Sequence, residues 1–194
     1  MQSITLSPST ALTGLVLILA LAISDGMLVH AFREQRAVLD SFANRQAQTL
    51  PAVGEGLPTL SGRKLTTGED FSVVPASTEL MTLLVFRESC QYCEQNWKNW
   101  ETLYNTPSNK MPIVFISGDS AVSASYRQKH PLLDGHIALV GIKPEILASL
   151  KLGATPQTVL VVDGKVKRGW PGVLTDDDIK EVKQAASDEL ARHD

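Results

Sequence analysis

The chain has 194 residues, of which 43% are hydrophobic and 20% charged, and its formal net charge at pH 7 is −3. A chain of this length accommodates one globular domain and an additional segment, so we expect a single core. Because there is no basic excess, composition gives no support for binding nucleic acid. The two cysteines cannot form a multi-bridge scaffold, and no second cysteine pair or HxxxH spacing completes a four-ligand zinc site. We therefore predict no nucleic acid partner and no metal.

Residues 11–23, ALTGLVLILALAI, are the candidate for a membrane segment. A membrane-spanning helix needs about 20 mostly apolar residues. Thr10 to Val29 supply them and carry Asp25 near one end, where a charge costs less than at the centre of the bilayer. We predict that residues 1–32 form an uncleaved anchor with one transmembrane helix. One alternative is a signal peptide cleaved at the small-x-small sequence Ala22-Ile23-Ser24, although the first ten residues lack the Lys or Arg typical of such peptides. The other is a buried helix.

Residues 33–56 are predicted to form a helical stalk or linker, and residues 57–194 the folded domain. Apolar residues recur at near-helical spacing between residues 32 and 50, where neither Pro nor Gly occurs. A surface helix packed on the domain is the alternative. Arg33 and Arg36 follow the apolar segment and nothing basic precedes it, so the positive-inside rule would keep the domain in the cytoplasm.

The first half of the domain predicts a strand–helix–strand unit. The stretch GLPTLSGRKL indicates an irregular start and a hairpin. The apolar runs TLLVFRES and PIVFISGDS predict two buried strands. Residues 93–104 lie between them and place Trp97, Trp100 and Tyr104 on one face of a helix, which favours a core position for these rings. A strand, a helix and a strand in this order predict a right-handed crossover between parallel strands.

The second half adds three helices and three strands. SAVSASYRQKH predicts a helix, HIALVGI a strand, and KPEILASLKLG a helix with Pro144 in its first turn and Gly153 just past its end. QTVLVVDGKVKRGW predicts two strands joined in a hairpin at Asp163-Gly164. The segment TDDDIKEVKQAASDEL predicts a closing helix with Thr175 as its N-cap, and its three aspartates favour the positive end of the helix dipole rather than a metal.

The two cysteines, Cys90 and Cys93, stand at the predicted junction of a buried strand and the following helix. At a helix N-terminus, free backbone N–H groups and the dipole stabilise a thiolate and lower its pKa below about 8.5. Cys90 is therefore the predicted nucleophile. Cys93 lies one turn further on the same face, where it can resolve a mixed disulfide, so the pair can exchange two electrons with a substrate. Gln91 and Tyr92 are uncharged and can tune the pair only through packing and hydrogen bonds.

The strand, Cys90-Gln91-Tyr92-Cys93, the helix and the later stretch LKLGATPQTVLVVDGKV together resemble the thioredoxin fold over roughly Leu57 to Leu190. The resemblance implies an α/β domain with a central mixed sheet flanked by helices. It also implies that Thr155-Pro156 forms the loop in which this family places a cis-proline facing the cysteines, and that this loop pairs with the backbone of an incoming client protein.

The hairpin before the first buried strand and the added HIALVGI element resemble the TlpA/ResA-like branch of membrane-anchored thiol-disulfide oxidoreductases. This branch implies a single-pass protein of the bacterial inner membrane whose domain faces the periplasm or outside. Arg33 and Arg36 favour the opposite orientation. It implies reduction of exported client proteins, as in the maturation of cytochrome c or of other enzymes, with electrons from a membrane donor. No cofactor is implied beyond the redox-active Cys90-Cys93 disulfide.

Three positions depart from the family pattern. Ser89 replaces the tryptophan common before the first cysteine, Leu84 replaces a buried acid, and Asn96 stands where ResA-like reductants often carry a glutamate. Glu88 and Glu94 remain as the carboxylates near the cysteines, and we interpret both as solvated surface groups rather than proton relays. The missing acid weakens the family's mechanism without removing the exchange chemistry.

Other functions of related folds fit less well. A peroxide reductase needs Thr or Ser three residues before its reactive cysteine, where this chain has Arg87. A copper-delivery module needs CxxxC spacing and a nearby histidine, whereas Cys90 and Cys93 have CxxC spacing. The remaining alternative is a binding module that docks a client during its maturation while the cysteines stay inert, which the three departures would favour.

Overall fold

A computed structural model describes residues 50–104 and 112–193. The predicted anchor at residues 1–32 and the stalk up to residue 49 lie outside the described residues. In the described ranges, we find no helix with the length and apolar character needed to cross a membrane.

The described residues form seven strands in one mixed sheet with the order β2-β1-β5-β4-β3-β6-β7. The strands are β1 Leu60–Lys64, β2 Asp70–Val73, β3 Leu80–Phe86, β4 Ile113–Ser117, β5 Ile137–Val140, β6 Gln157–Val162 and β7 Lys165–Pro171. The helices are α1 Gln91–Tyr104, α2 Ala124–Lys129, α3 Leu132–Gly135, α4 Pro144–Ser149 and α5 Asp176–His193. Strand β4 runs parallel to β3 and β5, and the other pairings are antiparallel. The predicted parallel crossover and the mixed sheet are confirmed.

Strand β3 lies inside the sheet between β4 and β6, and all seven of its residues are buried. Its side chains alternate between two cores, as the period of two along a strand requires. Leu84 and Phe86 join the core that contains residues of α1, α2 and α5, whereas Leu83 and Val85 join the core that contains residues of α4. Helices therefore cover both faces of the sheet, which explains why the run around β3 is continuously apolar.

Helix α1 packs its aromatic face into the first core. Trp97 and Trp100 are 3% and 0% exposed, which confirms the interpretation of these rings as core residues. Both indole nitrogens donate a hydrogen bond inside the core, Trp97 Nε1 to the hydroxyl of Tyr126 at 2.9 Å and Trp100 Nε1 to Thr158 Oγ1 at 3.0 Å. These bonds satisfy the polar atom that each ring brings into the core. Tyr104, in the last turn, is half-buried.

The helix predicted over SAVSASYRQKH ends at Lys129, and the short α3 that follows was not predicted. Pro131 lies between them, and the residue before a proline is pushed out of the helical region, so His130 cannot continue α2. Helix α4 begins at Pro144 as predicted but ends at Ser149, before the expected boundary at Gly153.

The hairpin between β6 and β7 has the predicted turn. Asp163 and Gly164 both have positive φ, 48° and 73°, as the two central residues of a tight hairpin turn require. A Cβ at Gly164 would lie 2.8 Å from the Cα of Ala76, so the close approach of this backbone also requires glycine.

Helix α5 is capped by Thr175, as predicted. Asp178 N donates to Thr175 Oγ1 at 3.2 Å, and Thr175 N donates to Asp178 Oδ2 at 2.8 Å. This reciprocal pair satisfies two backbone N–H groups at the start of the helix.

Residues 51–56, which the sequence assigns to the linker, run along the outer edge of β7. Gly54 N donates to Val166 O at 2.8 Å, and Val166 N donates to Glu55 O at 2.9 Å. Gly56 forms an isolated bridge with Lys165. These contacts occupy backbone groups of β7 that would otherwise form an unpaired sheet edge.

Candidate active site

Cys90 occupies the N-cap of α1, directly after the turn that follows β3. Its carbonyl accepts hydrogen bonds from the N–H groups of Cys93 and Glu94, at 3.0 and 3.2 Å. Its sulfur also accepts from Cys93 N at 3.2 Å, which is the bond that an N-cap side chain makes to the third helical residue. The buried strand therefore ends where the helix dipole and its free N–H groups converge on Cys90 Sγ.

The two thiols are free in this structure but have opposite environments. Burial alone would raise the pKa of Cys90. Its hydrogen bonds with Cys93, with Thr155 and with the backbone of Tyr92 outweigh this effect, so the pKa of Cys90 lies below its ordinary value. Cys93 is 0% exposed, and burial together with Cys90 raises its pKa to about 12. Cys90 is thus the thiol that ionises more readily, in the position predicted for the nucleophile.

The loop ending at Pro156 lies against Cys90. The Thr155-Pro156 peptide bond is cis, as the resemblance implied. Cys90 Sγ donates to the Thr155 carbonyl at 3.6 Å. Thr155 is half-buried, whereas Pro156 is buried. The structure therefore brings together the four residues predicted for exchange and client binding, although their roles remain predictions.

Gln91 and Tyr92, between the cysteines, are both exposed, and Tyr92 retains 62% of its surface. An exposed tyrosine beside a reactive thiol is available to an incoming partner, since its ring carries a large apolar area together with a polar hydroxyl.

Glu88 braces the turn before Cys90. Its carboxylate accepts hydrogen bonds from the backbone N–H and the hydroxyl of Ser123, at 2.9 and 2.5 Å. Glu88 N donates to Asp119 Oδ2 at 2.8 Å. The bonds from Ser123 hold the pKa of Glu88 below its ordinary value. Glu88 is half-buried and ties this turn to the start of α2.

Glu94 differs from the solvated carboxylate that we expected. It forms an ion pair with Lys129, and its Oε1 lies 3.1 Å from His130 Nε2. Its side chain is 29% exposed and that of His130 only 5%. Partial burial raises the pKa of Glu94, but hydrogen bonds from Lys129 and His130 outweigh it, so the pKa lies below its ordinary value. Sequence analysis missed His130 and Tyr126, since no local pattern connects them to the cysteine pair.

The three departures from the family pattern have distinct structural roles. Ser89 is exposed, and Leu84 is an ordinary member of the core. Asn96 is fully buried, and its Oδ1 accepts a hydrogen bond from Leu174 N at 2.9 Å. Its Nδ2 has no hydrogen-bond partner among the described residues. Asn96 thus joins α1 to the segment that precedes α5.

Within residues 50–104 and 112–193, no group of three or more His, Cys, Asp or Glu side chains is arranged to hold a metal ion.

Comparison with solved structures gives the same architecture. The chain is similar to the thioredoxin domain of thiol-disulfide oxidoreductase BVU-2223 from Bacteroides vulgatus, with 19% identity, a TM-score of 0.53, and coverage of 70% of this chain and 98% of that one. A thio-disulfide isomerase from Thermus thermophilus matches with 20% identity, a TM-score of 0.54, and coverage of 70% and 96%. A protein of Chlorobium tepidum titled as thiol:disulfide interchange protein DsbE matches with 14% identity, a TM-score of 0.58, and coverage of 72% and 99%.

No family model matches the sequence, and no curated protein matches it significantly. At these low identities the structural matches establish the thioredoxin-like α/β fold. The predicted mixed sheet flanked by helices is therefore confirmed by both the topology and the comparisons.

Proposed function

We propose that this protein is a thiol-disulfide oxidoreductase that reduces disulfides of client proteins through Cys90 and Cys93. The observation that carries the proposal is the contrast at the N-terminus of α1. Cys90 is partly exposed and its pKa is lowered, whereas Cys93 is buried. The backbone nitrogen of Cys93 lies 3.2 Å from Cys90 Sγ. An accessible, stabilised thiolate is the form of cysteine that attacks a disulfide.

The reaction has two steps. The Cys90 thiolate attacks one sulfur of the client disulfide, forming a mixed disulfide and releasing the other client sulfur as a thiolate. Cys93 then loses its proton and attacks Cys90 Sγ, which forms the Cys90–Cys93 disulfide and releases the second client thiolate. The client disulfide gains two electrons, the dithiol loses two, and the released thiolates take up protons.

The loop at Thr155 and Pro156 would hold the client during this exchange. The Thr155 carbonyl faces Cys90 Sγ at 3.6 Å, so a backbone paired with this loop would bring its cysteine to the reactive thiol. The exposed Tyr92 and Gln91 adjoin the same thiol and would contact the client as well.

We place the domain outside the cytoplasmic membrane, in the periplasm of a bacterium, attached by residues 1–32. The apolar segment at residues 11–23 supports an anchor, and the resemblance to membrane-anchored reductants supports the orientation. Exported proteins, including those matured by cofactor attachment, are the proposed clients, and a membrane donor would return electrons to the oxidised dithiol. No cofactor is required, since the cysteine pair carries both electrons.

A redox titration of the full-length protein tests the proposal. The protein is equilibrated in dithiothreitol or glutathione buffers, and an alkylating mass tag reads the state of Cys90 and Cys93. We expect a reversible two-electron transition, and a potential below about −200 mV would identify a reductant. If the disulfide never forms or never opens, the dithiol does not cycle, and the binding-module function replaces the proposal.

A further inference from the structure

The proton of Cys93 has no direct route to solvent. Cys93 is 0% exposed and must become a thiolate before it can attack the mixed disulfide. Leu84, in β3, provides no proton acceptor. A buried thiol that has to ionise in each cycle needs a nearby group that takes its proton, because an isolated charge is strongly disfavoured in an apolar core.

A cluster of polar side chains joins the first turn of α1 to α2 and its C-cap, and we call it the Glu94 network. It comprises Glu94, Tyr126, Lys129 and His130. Glu94 Oε1 lies 3.1 Å from His130 Nε2, and Lys129 pairs with the other carboxylate oxygen. His130 contacts two aromatic rings, with its centroid 4.3 Å from that of Trp97 and 4.5 Å from that of Tyr126.

Tyr126 connects this network to the thiol. It belongs to the same buried cluster as Cys93 and Trp97 and is 7% exposed. Its hydroxyl oxygen accepts the indole N–H of Trp97 at 2.9 Å, which leaves its own hydrogen to be donated elsewhere. Burial raises the pKa of Tyr126, and the charges that Glu94 and Cys93 carry when ionised raise it further, so both groups act on the same hydroxyl.

Building on the proposed function, we propose that Tyr126 and the Glu94–His130 pair take the proton from Cys93 while the mixed disulfide is resolved. Tyr126 belongs to the same buried cluster as the thiol, and Lys129 and the Trp97 ring contact the pair. A carboxylate that follows the second cysteine directly thereby supplies the acceptor that β3 lacks.

The step balances as follows. The Cys93 S–H proton passes to the Tyr126 oxygen while the Tyr126 proton passes to the Glu94–His130 pair. The Cys93 electron pair forms the bond to Cys90 Sγ, and the bond between Cys90 Sγ and the client sulfur breaks. The client thiolate leaves with that electron pair and takes up a proton, and the pair gives its proton back.

The Glu94–His130 pair is unprotonated at neutral pH and can hold a proton only briefly. Burial lowers the pKa of His130 more than Glu94 raises it, and the pKa of Glu94 also lies below its ordinary value, so an accepted proton is readily returned. Lys129 and Glu101 also act on His130, with opposite signs. Cys90 contributes to the high pKa of Cys93. This contribution ends when Cys90 becomes part of a mixed disulfide. The pKa of Cys93 then falls towards the pKa values of the Glu94–His130 pair.

The test follows the two steps separately in the full-length protein. One equivalent of the aromatic disulfide 5,5′-dithiobis(2-nitrobenzoate) is mixed with the reduced protein, and the released thiolate is followed by stopped-flow absorbance. The first release reports the attack by Cys90 and the second the attack by Cys93. Glu94→Gln and Tyr126→Phe should each slow the second release by about 10²-fold, within the usual contribution of general acid–base catalysis, and leave the first unchanged.

A matched variant separates proton transfer from helix docking. Asp134→Asn removes an ion pair between Arg127 of α2 and α3 that lies outside the Glu94 network. It should keep a fast second release. The wild-type second release should also slow as pH falls through the lowered pKa of His130, and Glu94→Gln should lose this dependence.

The outcomes distinguish the two proposals. If the wild type shows both releases and neither Glu94→Gln nor Tyr126→Phe slows the second, the relay is wrong while the exchange function stands. Equal slowing by Asp134→Asn would also overturn the relay in favour of a docking role. If the wild type shows no second release, the exchange function itself fails. Tyr126→Phe keeps the buried ring, so it provides the test even where loss of the Glu94 charge disturbs folding.

Discussion

The first turn of α1 and the turns that follow it belong to one helix but serve different purposes. The first turn contains exposed residues and an ionisable thiol, Cys90, whose sulfur accepts a backbone N–H. The later turns bury Trp97, Trp100 and Leu103 in the core. Cys93 lies at the boundary, buried like the later turns but in contact with Cys90. The N-terminal end of α1 can therefore remain exposed, because the rest of the helix is anchored in the core.

The largest expected effect comes from removing the thiols of the first turn. Cys90→Ser should abolish reduction of a disulfide substrate, because no nucleophile remains in an exposed position. Cys93→Ser should still form the mixed disulfide but not release it, which intact-mass spectrometry detects as a stable adduct. Residual turnover in Cys90→Ser would assign the attack to Cys93 and reverse the roles.

The contrast in pKa between the two cysteines predicts a large difference in alkylation. Thiolates react and thiols do not, so iodoacetamide labelling of Cys90 should rise with pH through a midpoint below the ordinary thiol value. Cys93, whose pKa is raised to about 12, should stay unlabelled at neutral pH in the folded protein. Peptide mapping after timed labelling measures both sites. Equal rates at the two sites would contradict the proposed division of labour.

In the later turns, Trp100→Ala should lower the free energy of unfolding by about 3–5 kcal/mol, since it removes a large core side chain. Trp100 is 0% exposed and bonded to Thr158, so the lost area and the lost hydrogen bond act together. Urea unfolding followed by circular dichroism gives the value. Tyr92→Ala, in the exposed first turn, is the control and should change stability by no more than about 0.5 kcal/mol.

A smaller loss is expected for Asn96→Leu. The leucine removes the acceptor of Leu174 N and leaves that buried N–H unsatisfied, which costs about 1–3 kcal/mol. The same substitution removes the unpartnered Nδ2, which offsets part of the cost. The free energies of unfolding of Asn96→Leu and Trp100→Ala, both measured in urea, show which side chain contributes more to stability. A loss equal to that of Trp100→Ala would show that Asn96 contributes more than one hydrogen bond.

Local patterns predicted most of the framework. The apolar runs located β3 and β4, and Asp163-Gly164 located the hairpin because few residue pairs adopt two positive φ angles. Boundaries were less predictable where a proline interrupts a helical pattern. The division into α2 and α3 depends on Pro131, and the early end of α4 follows from packing that no local rule contains.

The candidate site divides in the same way. Spacing and position identified Cys90 and Cys93 as a dithiol, and the resemblance pointed to Thr155 and Pro156. The pairing of Glu94 with His130 was not predictable, because it joins residues 36 positions apart whose meeting depends on how α2 docks on α1. The interpretation of Glu94 as a solvated carboxylate treated it as an isolated helix-surface residue.

Local sequence patterns were sufficient to predict the strands of the sheet, the dithiol at the end of a buried strand and the hairpin turn. These features depend on backbone preferences and hydrophobic periods over a few residues, which are local. Tertiary packing was needed to show that Cys93 is inaccessible while Cys90 is partly exposed, that Tyr126 shares the buried cluster of Cys93, and that His130 pairs with Glu94. Burial and proton affinity depend on every group within a few ångströms, and those groups come from segments that are distant along the chain.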